Sequence, residues 1–285
     1  MKKILIDRTL LKRMYTYKIL SEDDIGRRLD CSQWVISDRL RQFGIKTRPK
    51  TYNLSHRKYT YNKNFLNDIS SDTAWILGLL VSDGFVRKNN LSGYFGLSLK
   101  REDEDVVFKV KNMLKYTGPV YKGMHRLTYK GRTKEFSYSL LQINGIETVK
   151  KMEQLGILQN KTLRERFLTC IKDTKDEEKI SNFIRGIYEG DGSILFDNKR
   201  NSSCFQIVGT RCLLQVIQTY LMHYGHLNKT KLTQNISGTN HFALRYRGNL
   251  QVIKILEWIY KYSNPTNRMD RKFNKFNEIR RAVGK

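Results

Sequence analysis

Residues 183–192 read F-I-R-G-I-Y-E-G-D-G, and residues 75–84 read W-I-L-G-L-L-V-S-D-G. Both stretches run apolar at helical spacing into an aspartate followed by glycine. An acid in the last turn of a helix sits against the negative end of the macrodipole, at a cost of several tenths of a kcal/mol. Something should compensate it. The glycines predict helix ends in the left-handed conformation, which places Asp83 and Asp191 at two helix C-termini. Gly78 and Ser82 in one helix, and Gly186 and Gly190 in the other, are small residues four apart. That spacing lets two helix backbones approach closely. Packed through those faces, the helices bring both carboxylates together near a local two-fold axis. Neighbouring carboxylates repel unless protonated or metal-bound, and Mg²⁺ is the simplest resolution.

The surroundings of the two stretches repeat. Each D-G helix is followed by alternating segments, a longer helical segment, more alternating segments and another helix. In Y-F-G-L-S-L-K, Phe95, Leu97 and Leu99 point one way while Tyr94, Ser98 and Lys100 point the other. In H-F-A-L-R-Y-R, Phe242, Leu244 and Tyr246 face inward, leaving His241, Arg245 and Arg247 outward. One face packs and the other is basic, a shape that can lie in a DNA groove.

Residues 76–84 and 184–192 resemble the two motifs of single-chain LAGLIDADG homing endonucleases. The second copy is the nearer match; the first has Val81 where the family often has an acid and Ser82 where it often has Ala or Gly. The separation of Asp83 and Asp191, 108 residues (191 − 83), fits one repeat, and the resemblance covers residues 71–285. It implies an α+β fold: two pseudo-symmetric α-β-β-α-β-β-α repeats forming a β saddle over double-stranded DNA. It further implies that Asp83 and Asp191 share two or three divalent ions, which activate water and stabilise the leaving 3′ oxygen on each strand. The carbonyls of Ser82 and Gly190 would complete the coordination. Each half of the family usually also supplies a lysine that polarises the attacking water or screens phosphate charge. By position these are Lys161 and Lys272.

The chain carries 53 Lys and Arg against 27 Asp and Glu, a formal charge of +26. Such an excess favours polyanionic partners. Candidate DNA contacts on the saddle are Lys100, Arg101, Lys122 and Arg126 in the first repeat and Arg211, Arg245 and Arg247 in the second. The first fifty residues read as a separate unit: a helix over residues 10–17, a second opened by Ser21 with Asp24 as a capping box, and a third capped by Ser32 and ended by Gly44. In the third, Val35, Ile36 and Leu40 face inward. This resembles a helix-turn-helix whose reading helix would offer Gln33, Trp34, Ser37 and Arg41 to a major groove. The expected organisation is thus 1–50 helix-turn-helix, 51–70 basic linker, 71–170 first repeat and 171–285 second repeat.

Other classes find little support. Asp7 and Arg8 interrupt any signal-peptide core, no apolar run approaches the roughly 20 residues of a membrane span, and the four cysteines form no C-x-x-C pair. A cytoplasmic, phage-infected or organellar compartment is expected, with no membrane partner and a monomeric state. The five histidines form neither an H-N-H arrangement nor H-E-x-x-H, no phosphate loop for ATP is present, and the absence of a terminal His-Asn pair disfavours an intein. The reading is a site-specific, Mg²⁺-dependent DNA endonuclease. Two alternatives stay open: a non-catalytic transcription regulator on the same scaffold, and a maturase that binds intron RNA.

Overall fold

The Asp7 carboxylate accepts the Leu10 amide at 2.7 Å and so starts α1 (Arg8–Lys12). This helix widens into a π-helical turn over Arg13–Tyr17, where a continuous α-helix is expected from sequence. Ser21 Oγ accepts the Asp24 amide at 3.0 Å and opens α2 (Glu22–Arg28), as the capping box predicts. Ser32 stands at the N-cap of α3 (Gln33–Gln42) without a side-chain cap bond, and Gly44 follows its end at φ +65°. Asp30 makes the turn between α2 and α3 in the left-handed region, at φ 51°. A Cβ on Gly26 would stand 2.6 Å from the Cys31 carbonyl, so the helices approach through glycine. Leu11, Ile25, Ile36 and Leu40 are fully buried, while Gln33 and Trp34 are exposed, Trp34 at 73%.

The computed structural model describes residues 6–18, 20–48, 59–129, 132–197, 199–235 and 238–284. It divides into two units, Met1–Lys58 and Tyr59–Lys285. Eight of the twenty residues of the expected linker, 51–58, lie outside the described residues. Residues 59–70 are no tether: Tyr61, Phe65 and Leu66 are buried, with Tyr61 and Phe65 against the Phe95 ring. Their apolar area outweighs the polar composition that suggested a linker.

In the second unit, Ser70 caps α4 (Ser71–Ser82), and β1 (Gly84–Lys88), β2 (Gly93–Lys100), α5 (Glu104–Met113), β3 (Tyr121–Tyr129), β4 (Arg132–Asn144) and α6 (Ile146–Gln154) follow. A short helix, α7 (Thr169–Lys172), precedes the second copy. That copy comprises α8 (Glu177–Asp191), β5 (Gly192–Asp197), β6 (Ser202–Gly209), α9 (Arg211–Tyr224), β7 (Thr233–Gln234), β8 (Phe242–Arg247) and α10 (Asn249–Tyr260), with α11 (Asp270–Ala282) after it. The α-β-β-α-β-β-α order therefore occurs twice. Each copy forms a four-stranded antiparallel sheet, β1-β2-β4-β3 and β5-β6-β8-β7. The fold is α+β.

Each sheet has one packed face. Phe95, Leu97 and Leu99 are buried with Leu141 and Ile143, and Phe205 and Ile207 with Leu244 and Tyr246. Lys100 lies on the opposite face of the first sheet, and Arg245 and Arg247 share the opposite face of the second with Gln206 and Cys204. Lys122 and Arg126 do not join Lys100. Pairing sets Lys122 across from Ser139, on the packed side, where it bonds to Glu104, and Arg126 across from Glu135, 2.6 Å away. A strand's alternation gives two faces; only the register says which one is wet.

Candidate active site

Helices α4 and α8 meet backbone to backbone. A Cβ on Gly78 would lie 2.2 Å from the Phe183 carbonyl oxygen, and one on Gly186 would lie 2.3 Å from that of Trp75. One on Gly190 would meet Ser82 Oγ at 2.1 Å and Asp83 Oδ2 at 3.0 Å. Residues 73–81 and 180–189 are buried throughout, because each helix is covered by its partner and by sheet. The small residues spaced by four thus carry the contact, and Asp83 stands beside the residue preceding Asp191.

The glycines after the aspartates act differently from expectation. Gly84 and Gly192 are not left-handed; they start β1 and β5 directly, Gly192 at φ −96° and ψ 163°. They are glycine because a Cβ would strike the preceding turn, 2.5 Å from Leu80 Cα and 2.4 Å from the Tyr188 carbonyl oxygen.

Both carboxylates are partly exposed, and among the described residues neither has a hydrogen-bond or ion-pair partner. Burial, and then the neighbouring Asp83, push the Asp191 carboxyl up to about 6. Burial likewise raises Asp83, opposed by the positive charges of Lys272 and Lys161.

The two lysines answer the macrodipole problem. Lys272, 7% exposed on α11, donates to the carbonyls of Tyr188 at 2.8 Å, Glu189 at 2.6 Å and Gly192 at 2.7 Å. Those three bonds use all of its N–H groups, and the Gly190 carbonyl lies further off, at 3.5 Å. Lys161 donates to the Val81 and Ser82 carbonyls. Each ammonium thus neutralises the negative end of its own repeat's helix. Burial pulls both lysines down to about 8. The lysine assignments stand near the aspartates as expected, but as caps on backbone carbonyls, and the Ser82 carbonyl is engaged by Lys161.

The segment holding Lys161 is strained. Asn160 and Leu163 have φ of 53° and 64°, and for leucine that conformation costs about 1–2 kcal/mol. The Glu165 carboxylate accepts the Leu163 amide at 3.1 Å and holds the turn. Asp83, Lys100 and Lys272 line one cleft of about 700 Å³ together with residues absent from the sequence reading: Asp103, Arg271 and Lys275. Arg271 forks onto Asp103 at 2.7 and 2.8 Å. Nothing in the sequence signalled this pair, since its members are 168 residues apart.

The other expected contacts are scattered. Arg245 reaches Gln206 at 2.5 Å, Thr233 at 2.9 Å and Asn235 at 3.1 Å, a polar cluster on the wet face. Arg247 is exposed on the same face. Arg101 pairs with Glu104, and Arg211 starts α9 with its guanidinium 4.5 Å above the Phe242 ring, off the strand face.

Among the described residues no group of three or more His, Cys, Asp or Glu side chains could hold a metal ion. Two unpartnered carboxylates nevertheless fit Mg²⁺, which commonly takes one or two carboxylates and fills its remaining positions with water and substrate phosphate. No helix among the described residues is long and apolar enough to cross a membrane.

No family model and no curated protein matches the chain. Solved structures similar to it include the meganuclease I-SmaMI bound to uncleaveable DNA with a TTCT central four, at 11% identity over 75% of this chain and 91% of that one, TM-score 0.46. The LAGLIDADG homing endonuclease I-GzeII in complex with its DNA target is similar at 10% identity over 75% and 89%, TM-score 0.47. Full-length DUF199/WhiA from Thermatoga maritima is similar at 13% identity over 78% and 64%, TM-score 0.44.

Proposed function

We propose that the chain is a site-specific DNA endonuclease that hydrolyses both strands of a long, asymmetric duplex target with Mg²⁺. The observation that carries this reading is the pair Asp83 and Asp191: two half-buried carboxylates, side by side on different repeats, with no hydrogen-bond or ion-pair partner among the described residues. Asp83 and Asp191 would hold the ions, which supply a water activated for attack and stabilisation of the leaving 3′ oxygen. The chain's own groups do the rest. Lys161 and Lys272 hold the helix ends and lend positive potential to the carboxylates. Lys100 and Lys275 in the cleft beside Asp83, and Arg245 and Arg247 on the second sheet, would meet phosphates and base edges. The α1–α3 unit, with Gln33, Trp34, Ser37 and Arg41 on α3, would extend the contact as a helix-turn-helix.

One observation favours a second reading, a DNA-binding regulator without catalysis: both lysines that would assist the chemistry are spent on backbone carbonyls. The two readings separate on a plasmid carrying the sequence that flanks the reading frame, joined without it. Linear product only with Mg²⁺ supports the endonuclease. Binding without scission supports the regulator, and selective binding of the intervening RNA supports a maturase.

A further inference from the structure

Glu189 is 1% exposed and lies two residues before Asp191; its Oε2 accepts the indole N–H of Trp75, itself 0% exposed, at 2.6 Å. Trp75 belongs to α4 and Glu189 to α8, so this bond joins the two helices that carry the aspartates. The remainder of their contact is backbone, apolar side chain and the Ser82 hydroxyl, whose bond to the Gly186 carbonyl is long at 3.5 Å, and this resists separation but specifies position weakly. A buried hydrogen bond with one geometry specifies it better, and buried polar groups are best attested as devices that fix register. One turn earlier on α8, Arg185 is 0% exposed and donates to the Asn267 carbonyl at 2.8 Å, while Asn267 Nδ2 donates to Asp72 at the start of α4 at 2.8 Å. The positions in α4 that match Arg185 and Glu189 are Leu77 and Val81. The polar tie is therefore one-sided about the pseudo-two-fold axis.

We propose that Glu189 is a positioning residue: through Trp75 it fixes the register of α4 against α8 and thereby the separation of Asp83 from Asp191. It rests on the reading of those two carboxylates as the ion-holding pair, yet the register can be measured without any cleavage. Glutamine keeps the side-chain length and an oxygen that can accept the Trp75 indole N–H, so an amide is its close substitute.

The test introduces Asp83→Cys and Asp191→Cys together in the full chain and follows disulfide formation between them by peptide mapping, since a disulfide tolerates little error in the separation of its ends. With native Glu189 the bridge should form readily. Adding Glu189→Leu or Trp75→Phe should slow it about tenfold, and Glu189→Gln should restore it. Equal rates in all four would overturn the proposal, and failure of the parent pair to bridge would overturn the adjacency behind it. Should Glu189→Leu fail to fold by circular dichroism, Trp75→Phe against Glu189→Gln decides. In the otherwise native chain, Glu189→Leu should lower kcat about a hundredfold with DNA affinity unchanged, the scale of a 1 Å misplacement. A chain that cuts no DNA but keeps the bridging pattern would end the endonuclease reading and leave the register role standing.

Discussion

Gly78 and Gly186 meet across the helix pair so closely that a Cβ on either would stand 2.9 Å from the other's Cα. Carbonyl oxygens of Phe183 and Trp75 lie nearer still, at 2.2 and 2.3 Å, so backbone itself would have to move. Gly186→Ala should therefore destabilise the second unit by about 2–3 kcal/mol, the upper range for overpacking, although alanine is the better helix former. Thermal unfolding checks it. An unchanged midpoint would mean that the helices can separate at little cost.

The carboxylates make stability depend on pH in a stated direction. Asp191 is raised in the folded state, to about 6 against an ordinary 3.8, so the folded chain binds more protons between those values and stability falls as pH rises through that window. Without divalent ions, Asp191→Asn should be more stable than the native chain at pH 7 by about 1–2 kcal/mol, the difference closing toward pH 4. Denaturant unfolding at the two pH values reads it. By the same proton competition, divalent-ion affinity should fall as pH drops below about 6.

Lys272 has given all three N–H groups to carbonyls, so its removal should act first on the fold. Lys272→Met would take the ammonium away from the Tyr188, Glu189 and Gly192 carbonyls at a helix end, where the Tyr188 carbonyl keeps the Gly192 amide, and should cost about 3 kcal/mol. Lys275, half-buried in the cleft that Asp83 also lines and paired with Glu278 at 2.9 Å, should instead affect substrate: Lys275→Ala should weaken DNA binding and reduce its salt dependence by roughly one phosphate's worth, with the unfolding midpoint unchanged. Binding isotherms at several salt concentrations distinguish the two lysines.

On the second sheet, Arg247 is exposed and Arg245 is anchored by Gln206, Thr233 and Asn235. A preorganised guanidinium is suited to a base edge and a free one to a phosphate. Arg245→Ala should relax specificity at one position of the target by about 1–3 kcal/mol, whereas Arg247→Ala should weaken all sequences alike. Competition among single-base target variants measures both.

Local pattern carried most of the fold in the sequence. Period-two alternation placed Phe95, Leu97 and Leu99 correctly, capping residues opened α2, and small residues four apart marked the α4–α8 contact. What escaped depends on partners remote along the chain. The wet or packed side of Lys122 follows from pairing with Ser139, the burial of Tyr61 and Phe65 from Phe95, and the Arg271–Asp103 fork from a separation of 168 residues. The aspartates were legible as a pair; that lysines would answer the helix dipole through carbonyls was not, because backbone acceptors leave no mark in the residue pattern. The D-G glycines show the same limit: the sequence pointed to glycine, but its reason is a close approach to Leu80 and Tyr188 rather than a left-handed turn.

Cleavage of the flanking-sequence plasmid by the native chain, Asp83→Asn and Asp191→Asn, each with and without Mg²⁺ and with DNA affinity measured in parallel, bears on the shared carboxylate site most directly. The native chain should give linear product only with Mg²⁺, and each variant should bind within about threefold of native while losing at least about a thousandfold in double-strand cleavage, the order expected when a metal ligand for hydrolysis is removed. Normal linear product from either variant would contradict the account.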